Sequence, residues 1–319
     1  MGRRLTEARL RTVVERQCPP RWGAAYEPAI QVCTSEAPPI SRPSVLNSHR
    51  LGRVVQVLSQ PERHAALLAL YHPGLRDLHE QKMLSPSQIE HPLTTYPGLM
   101  QAGLPYSRGT RASAEDLGCL GQHPWVWAAN TGERIAFPYI GDFLLFLEDR
   151  DGLYCVNWTV KKSAEGFERR PIDIRASLLA EQRGSQAVAN RQRIEECYYQ
   201  EFGIRTERVT GDAIPHSLAC TLDQLFTWER RDDHLTPAQR VWVLSEARAL
   251  VARGEVISAH IPRLQSELGC GSYEVLCAIY QGIWTRAIRV DLFSSILIDA
   301  PMEPERNDVL LHYAHWFQR

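Results

Sequence analysis

The stretch GDFLLFLEDRDGLYCVNWTVK, residues 141–161, contains two apolar runs separated by DRDG. An Asp-Gly pair in so short a linker is typical of a β-hairpin, so the two runs are predicted to form paired antiparallel strands. Because side chains alternate along a strand, Asn157, Thr159 and Lys161 share one face of the second strand. Asp142 begins the first strand and Lys161 ends the second. The hairpin is therefore expected to bring these two charged residues together.

The segment before this hairpin and the segment after it each predict a helix followed by a strand. In SQPERHAALLALYHPG, Ser59 is a helix cap, Pro61 suits the first helical turn, and HPG ends the helix. LRDLHEQ then alternates apolar and polar residues as a strand does, and a loop-rich insertion follows from Ser85 to Asn130. After the hairpin, a helical segment ends at Gly203, and IRTERVT predicts another strand. This order of elements predicts an α/β core.

The two ends of the chain differ from this core. MGRRLTEARLRTVVERQ predicts a basic amphipathic helix. The helix could be an arm that binds DNA or a protein partner, or it could pack on its own domain. Its arginines are Arg3, Arg4, Arg9, Arg11 and Arg16. Proline-rich chain then extends to Ser44. Near the C-terminus three helical segments precede two apolar strands, TRAIRVD and SSILIDA, a pattern that predicts a winged helix-turn-helix. The predicted domains are 1–47, 48–232 and 233–319.

Composition narrows the class of protein. The chain has 319 residues, enough for two domains, with 44% hydrophobic and 23% charged residues, as in ordinary globular proteins. Eight cysteines include no CxxC pair and no zinc-type Cys/His spacing, which favours reduced thiols. No apolar run approaches 18 residues, and the sequence contains no charged-then-apolar stretch of the kind found in leaders. We therefore expect a cytoplasmic protein with no membrane partner.

The pairing of Asp142 with Lys161 has the chemistry of a metal-dependent nuclease. Carboxylates hold Mg²⁺ or Mn²⁺, the ion activates a bound water, and a lysine stabilises the attacking species. Glu62, in the first turn of the preceding helix, is placed to add a carboxylate. The same spacing also fits an Asp142 that only caps a strand and a Lys161 that is only solvated.

Four motifs, taken in order, resemble the TnsA-type endonuclease subunit of heteromeric transposases. They are SHRLGRVVQVLSQPERHAALLALYHPGLRDLHEQ, GDFLLFLEDRDG, TVK and RIEECYYQ. The resemblance extends over roughly residues 5 to 300 and is weakest between 85 and 130 and in the last twenty residues. It implies a restriction-endonuclease-like mixed sheet core flanked by helices, with a C-terminal winged helix-turn-helix domain.

The resemblance also implies the site residues. Glu62, Asp142 and Lys161 occupy the catalytic positions, and Thr159 stands where the family has Gln or Glu. The implied metal ligands are Glu62, Asp142, Thr159 and, from the following helix, Glu195. A threonine binds Mg²⁺ less strongly than a carboxylate does, which puts metal affinity in question. Glu195 is equally compatible with a solvated helix face.

By the same resemblance, the reaction is hydrolysis of a phosphodiester in double-stranded DNA, at the 5′ ends of a mobile element. A DDE transposase cuts and joins the 3′ ends, and an AAA+ ATPase regulator docks on the C-terminal region. Two alternatives are a non-catalytic subunit that holds DNA and the ATPase, and a stand-alone nuclease of the same fold that serves repair or restriction.

Local charge suggests where DNA lies. The segment from Lys161 to Arg193 contains eight basic and four acidic residues. This local excess of positive charge suits phosphate contacts, but it also fits a solvated face. From Pro262 to Arg319 five arginines are outnumbered by seven acidic residues, which favours protein docking over DNA binding there. His312 and His315 lack further metal ligands and fit an amphipathic tail helix better than a metal site.

Overall fold

The computed structural model describes residues 5–32, 36–37, 42–99, 103–168 and 178–319, with side chains described from 184 onward in the last of these ranges. The chain forms two compact units. The first unit comprises residues 1–65, 74–213 and 316–319, and the second comprises 66–73 and 214–315. None of the helices in the described ranges is long and apolar enough to cross a membrane.

Helices and strands alternate through the first unit, whereas the second unit is helical. The helices are α1 (Glu7–Gln17), α2 (Gln60–Tyr71), α3 (Thr110–Asp116), α4 (Leu178–Glu201), α5 (His216–Phe226), α6 (Pro237–Arg253), α7 (Ile257–Leu268), α8 (Ser272–Trp284) and α9 (Val309–His312). The strands are β1 (Ser44–Ser48), β2 (Arg53–Val57), β3 (Leu75–Glu80), β4 (Met83–Leu84), β5 (Trp125–Trp127), β6 (Arg134–Ala136), β7 (Tyr139–Ile140), β8 (Phe143–Asp149), β9 (Gly152–Lys161) and β10 (Arg205–Thr210).

A four-stranded mixed sheet in the order β10-β9-β8-β3 is the centre of the first unit. Strands β8 and β9 form the predicted hairpin, with Phe143 opposite Trp158. Strand β3 lies antiparallel to β8, and β10 lies parallel to β9. A parallel neighbour needs a crossover connection, which α4 supplies. The prediction of an α/β protein is confirmed, in the order helix, three antiparallel strands, helix, parallel strand.

Both faces of this sheet are buried, so its strands do not show the alternation of a half-exposed sheet. On one face, Leu144, Phe146 and Cys155 pack with aromatic residues of α4, among them Tyr199. On the other face, Trp158 contacts the rings of Trp316 and Phe317, and its indole donates to the Trp316 carbonyl at 2.7 Å. The period-two assignment in β9 is thus correct: Asn157 and Thr159 lie on the α4 side.

Several local predictions need correction. Strand β3 does not alternate in exposure, because its polar residues Asp77, His79 and Glu80 are buried. The segment 85–130 contains helix α3 and strand β5, and β1 and β2 form a hairpin that the sequence analysis did not predict. The C-terminal histidines lie in the short helix α9 and the 3-10 turn Ala314–Trp316.

The predicted wing of the second unit is wrong. Helices α6, α7 and α8 form as expected, and α5 precedes them, but residues 285–300 contain no strand. A single bridge joins Val290 to Pro304, and the amide of Asp291 donates to the Glu303 carbonyl at 2.9 Å. Because Pro301 and Pro304 have no N–H group to donate, a regular ladder cannot extend from this bridge.

The N-terminal helix packs on its own unit. Val13 of α1 is buried with Ala29, Met83 and Val126, and the Arg16 guanidinium forms an ion pair with Glu36 at 2.6 Å. Arg3 and Arg4, two of the five arginines of the predicted basic face, lie outside the described residues. Of the two alternatives given for this helix, the described part of α1 therefore agrees with a helix packed on its own domain.

Candidate active site

The β8–β9 hairpin brings Asp142 and Lys161 together as predicted. The Lys161 ammonium lies 3.2 Å from the Asp142 carboxylate, and the same carboxylate oxygen accepts the Val160 amide at 2.7 Å. Lys161 also donates to the Val160 carbonyl at 2.9 Å. The two side chains are 28% and 19% exposed, so this ion pair is open to a ligand from solution.

Glu62 lies in the first turn of α2 and is buried. Its carboxylate accepts the Leu58 amide and the Ser59 hydroxyl, both at 2.8 Å, while its own amide donates to Ser59 at 3.3 Å. This exchange resembles a capping box and stabilises the helix start. Burial, and after it the negative charge of Asp142, raises the pKa of Glu62 to about 7. The charge of Asp142 thus acts on the Glu62 carboxylate, as is expected if the two carboxylates belong to one site.

Gln81 links the helix acid to the strand acid, a role that the sequence analysis did not assign to it. Its side-chain amide donates to Glu62 at 3.2 Å, and its backbone amide donates to the Asp142 carbonyl at 2.9 Å. Gln81 has a φ of 44°, which is unusual for a residue other than glycine. The only sequence signal was the Glu-Gln pair at the end of the strand motif.

A second carboxylate reaches the sheet from α4. Glu195 is buried, and its Oε1 accepts the Thr159 hydroxyl at 3.0 Å and the Asn157 amide at 3.1 Å. Gly141 lies beside this oxygen: a Cβ there would be 3.4 Å from it, an ordinary contact, and a tighter 3.0 Å from the Leu84 side chain. Burial, followed by the charge of Asp142, raises the pKa of Glu195. Glu195 is therefore not on a solvated helix face, and it supplies a carboxylate where the strand has a threonine.

A buried ion pair joins the two ends of the first motif. Arg53 of β2 donates to both oxygens of Glu80, at 2.8 and 2.9 Å, and Glu80 also accepts the Gln56 amide at 3.0 Å. The Arg53 and Glu80 side chains are only 6% and 0% exposed. This pair fixes the end of β3, and so the position from which Gln81 extends to Glu62.

The donor chemistry of the site fits Mg²⁺ or Mn²⁺. Asp142 and Glu62 offer carboxylates, the Val160 carbonyl offers a neutral oxygen, and Gln81 Oε1 is buried without a hydrogen-bond partner among the described residues. Within those residues no three His, Cys, Asp or Glu side chains form a group that could hold an ion by themselves. Mg²⁺ does not require such a group, because it keeps several waters and binds through one or two carboxylates and substrate phosphates.

Thr159 is a less suitable ligand than predicted. Its hydroxyl is committed to Glu195, and only 2% of the residue is exposed. The arrangement makes Thr159 a support for the Glu195 carboxylate.

The basic residues predicted beside the site are described in part. Lys162, Arg191 and Arg193 are exposed, and Arg191 donates to the Ile140 carbonyl at 2.7 Å. Arg169, Arg170, Arg175 and the side chain of Arg183 lie outside what is described. Of these three, Arg191 affects the site: burial raises the pKa of Glu195, and the charge of Arg191 opposes that shift.

Comparison of the chain with models of known protein families finds no match, and no curated protein matches it. The resemblance to the TnsA-type endonucleases therefore rests on the motifs quoted above and stays a prediction.

Proposed function

We propose that the chain is a metal-dependent DNA endonuclease whose site is formed by Asp142, Lys161 and Glu62. The observation that carries the proposal is the partly exposed contact between Lys161 and Asp142 at 3.2 Å, with the buried Glu62 electrostatically linked to the same aspartate. An acid, a second acid and a lysine at one sheet end are the groups that phosphodiester hydrolysis needs. The helix, three-strand, helix, strand order supports a restriction-endonuclease-like fold.

In this proposal Asp142 and Glu62 would hold Mg²⁺, which when bound lowers the pKa of a water and polarises the phosphoryl oxygen. Lys161 supplies a positive charge beside Asp142, suited to a phosphate oxygen or to the attacking water. Glu195 and Thr159 support the site from the α4 side. The products would carry 3′-hydroxyl and 5′-phosphate ends.

We further propose, on the order of the four motifs alone, that the DNA is the end of a mobile element. The chain would then be the endonuclease subunit of a transposase that cuts 5′ ends beside a DDE transposase under an AAA+ ATPase. The acidic C-terminal region is the part we assign to protein docking.

The test is cleavage of end-containing DNA in Mg²⁺ or Mn²⁺ by the chain together with its transposase partner. Asp142→Asn should reduce cleavage at least about a hundredfold, because loss of a metal ligand removes several kcal/mol of transition-state stabilisation. Glu148→Gln is the matched control: Glu148 lies on β8, the strand that Asp142 immediately precedes, and is 45% exposed and paired with Arg76. This variant should cut within about twofold of wild type. If Asp142→Asn cuts as well as Glu148→Gln, the proposed activity is wrong.

A second candidate is a non-catalytic subunit that holds DNA and the ATPase. It is favoured by Thr159, whose hydroxyl is committed to Glu195, and by the pairing of Asp142 with Lys161. Calorimetry that detects no divalent ion even with DNA present, together with transposition products that persist in Lys161→Ala, would support this candidate over the nuclease. A stand-alone nuclease would instead cut DNA without any partner.

A further inference from the structure

A short β-hairpin in the first unit presents two tryptophans and an arginine on one face. Strands β5 and β6 pair with Trp125 opposite Ala136 and Trp127 opposite Arg134. The Arg134 guanidinium lies 4.7 Å from the ring centre of Trp125 and 5.9 Å from that of Trp127. We call residues 125–136 the tryptophan hairpin.

Folding does not account for this face. The residue that anchors the hairpin is Val126, 3% exposed, which packs with Val13 and Phe137. Trp127, on the face opposite Val126, is 66% exposed. A tryptophan so exposed contributes little buried area to the core, whereas an aromatic ring beside a guanidinium is a common stacking surface for ligands.

Arg134 places a positive charge on the tryptophan face of the hairpin, which suits an anionic ligand. Within the described ranges Arg134 has no ion-pair partner. Helix α1 borders the hairpin loop, since Glu7 accepts the Ala129 amide at 2.8 Å, and the same glutamate lies 3.6 Å from Arg11, which is 70% exposed. Glu133, the acidic residue of the loop, accepts the Thr131 hydroxyl at 3.4 Å. Arg134 is thus a cation open to solution, while Arg11 and Glu7 largely offset each other.

The hairpin is also tied to the candidate active site by a short length of chain. Asp142 follows Ala136 by six positions in the chain, which limits their distance to about 20 Å. That is the length of about six nucleotides along one DNA strand. Ile140, within this connection, packs against the cluster that contains Val126 and Phe137, so the connection is fixed to the base of the hairpin. A DNA strand bound at Asp142 would therefore extend to within reach of Trp127.

We propose that the tryptophan hairpin binds unpaired nucleotides next to the cleavage point, with a base stacked on Trp127 and Arg134 beside it. This rests on the proposed function and specifies its substrate: DNA with unpaired bases near the cut, such as a tailed or opened end, in preference to intact duplex. Stacking on an aromatic ring requires only the flat face of a base, so the preference would not depend on sequence. A protein partner would instead bury the tryptophan in an apolar pocket.

The test uses the full chain without divalent ions, so that binding is measured apart from cleavage. Fluorescence anisotropy with labelled DNA compares a 20-base-pair duplex with the same duplex carrying a four-nucleotide tail. Trp127→Ala should raise the Kd for tailed DNA roughly 5- to 150-fold and leave duplex binding within about threefold, with the salt dependence unchanged because no phosphate contact is lost. Trp127→Phe should restore tailed-DNA binding to within about threefold of wild type.

Tyr106→Ala is the matched control, since Tyr106 is 56% exposed in the same unit, and it should bind both DNAs as wild type does. The proposal is overturned if Trp127→Ala binds tailed DNA normally, or if it weakens both DNAs equally. The proposal would also be overturned if Trp127→Ala bound both DNAs normally but no longer bound a protein partner. These results are independent of Asp142→Asn: the hairpin can fail while cleavage stands, and cleavage can fail while the hairpin binds.

Discussion

Two ion pairs at the same end of the first unit differ in exposure and in what they can do. Arg53 and Glu80 are 6% and 0% exposed and share two hydrogen bonds, whereas Lys161 and Asp142 are 28% and 19% exposed and share one. Burial raises the pKa of Glu80 even though the Arg53 guanidinium opposes the shift. The buried Arg53–Glu80 pair therefore fixes the end of β3, while the more exposed Lys161–Asp142 pair has charges that can bind a substrate.

The largest effect expected from this contrast is on stability. Arg53→Met should lower the free energy of unfolding by about 3–5 kcal/mol, because Glu80 is left buried without its cation. Urea unfolding followed by circular dichroism measures the change. The double variant Arg53→Met with Glu80→Leu should recover most of the loss, since no charge then remains buried. A stable single variant would show that Glu80 is already neutral in the folded protein.

The next effect is a pH dependence at Glu62. Its pKa rises from 4.5 to about 7 on folding, so between these values the unfolded chain has lost a proton that the folded protein keeps. The free energy of unfolding therefore falls as pH rises through this window, by on the order of 1–3 kcal/mol. Glu62→Gln cannot ionise and should not show this loss.

Unfolding of wild type and Glu62→Gln at pH 4.5 and pH 7.5 tests this expectation. The variant should gain stability relative to wild type as pH rises across the interval. A constant difference between the two proteins would mean that folding does not raise the pKa of Glu62, and this expectation would be wrong.

A smaller effect is expected at Gln81, which connects the two acids. Gln81→Met keeps the length of the side chain and removes the hydrogen bond to Glu62. We expect kcat to fall roughly tenfold with little change in KM, as for residues that orient metal ligands. Gln81→Glu, which keeps the polar oxygen but not the donor, should not restore activity. An unchanged kcat in Gln81→Met would remove Gln81 from the site.

The smallest effect is on the stability of the open pair. Lys161→Met should change the free energy of unfolding by less than about 1 kcal/mol, because half-exposed ion pairs contribute little. The same variant should still lose cleavage. A loss of stability as large as that of Arg53→Met would mean that the Lys161–Asp142 pair is structural, and the contrast between the two pairs would not hold.

The sheet was predictable because its signals are local. The Asp-Gly turn fixes the β8–β9 hairpin, and alternation correctly placed Asn157 and Thr159 on one face. Contacts between distant segments were not predictable in the same way. That Glu195 faces Thr159 depends on the rotation of α4 about its axis, and the IEE sequence alone does not set that rotation.

The prediction of the wing was wrong because alternation of apolar and polar residues is not sufficient for a strand. Ile288, Val290 and Leu292 are buried as a strand pattern predicts, but a strand also needs a partner with free N–H groups. The opposing segment contains Pro301 and Pro304, so only one bridge forms. The tryptophan hairpin was hidden for a different reason: strands of three residues in a long insertion give too little periodicity to identify.

The contacts of Trp316 and Phe317 with Trp158 have a consequence for synthesis of the protein. These residues follow the whole second unit in the chain, yet they cover one face of the first unit's sheet. During translation the indole of Trp158 must stay uncovered until residues 214–315 have left the ribosome. Maturation of the sheet is thus delayed until its neighbour along the chain has been made.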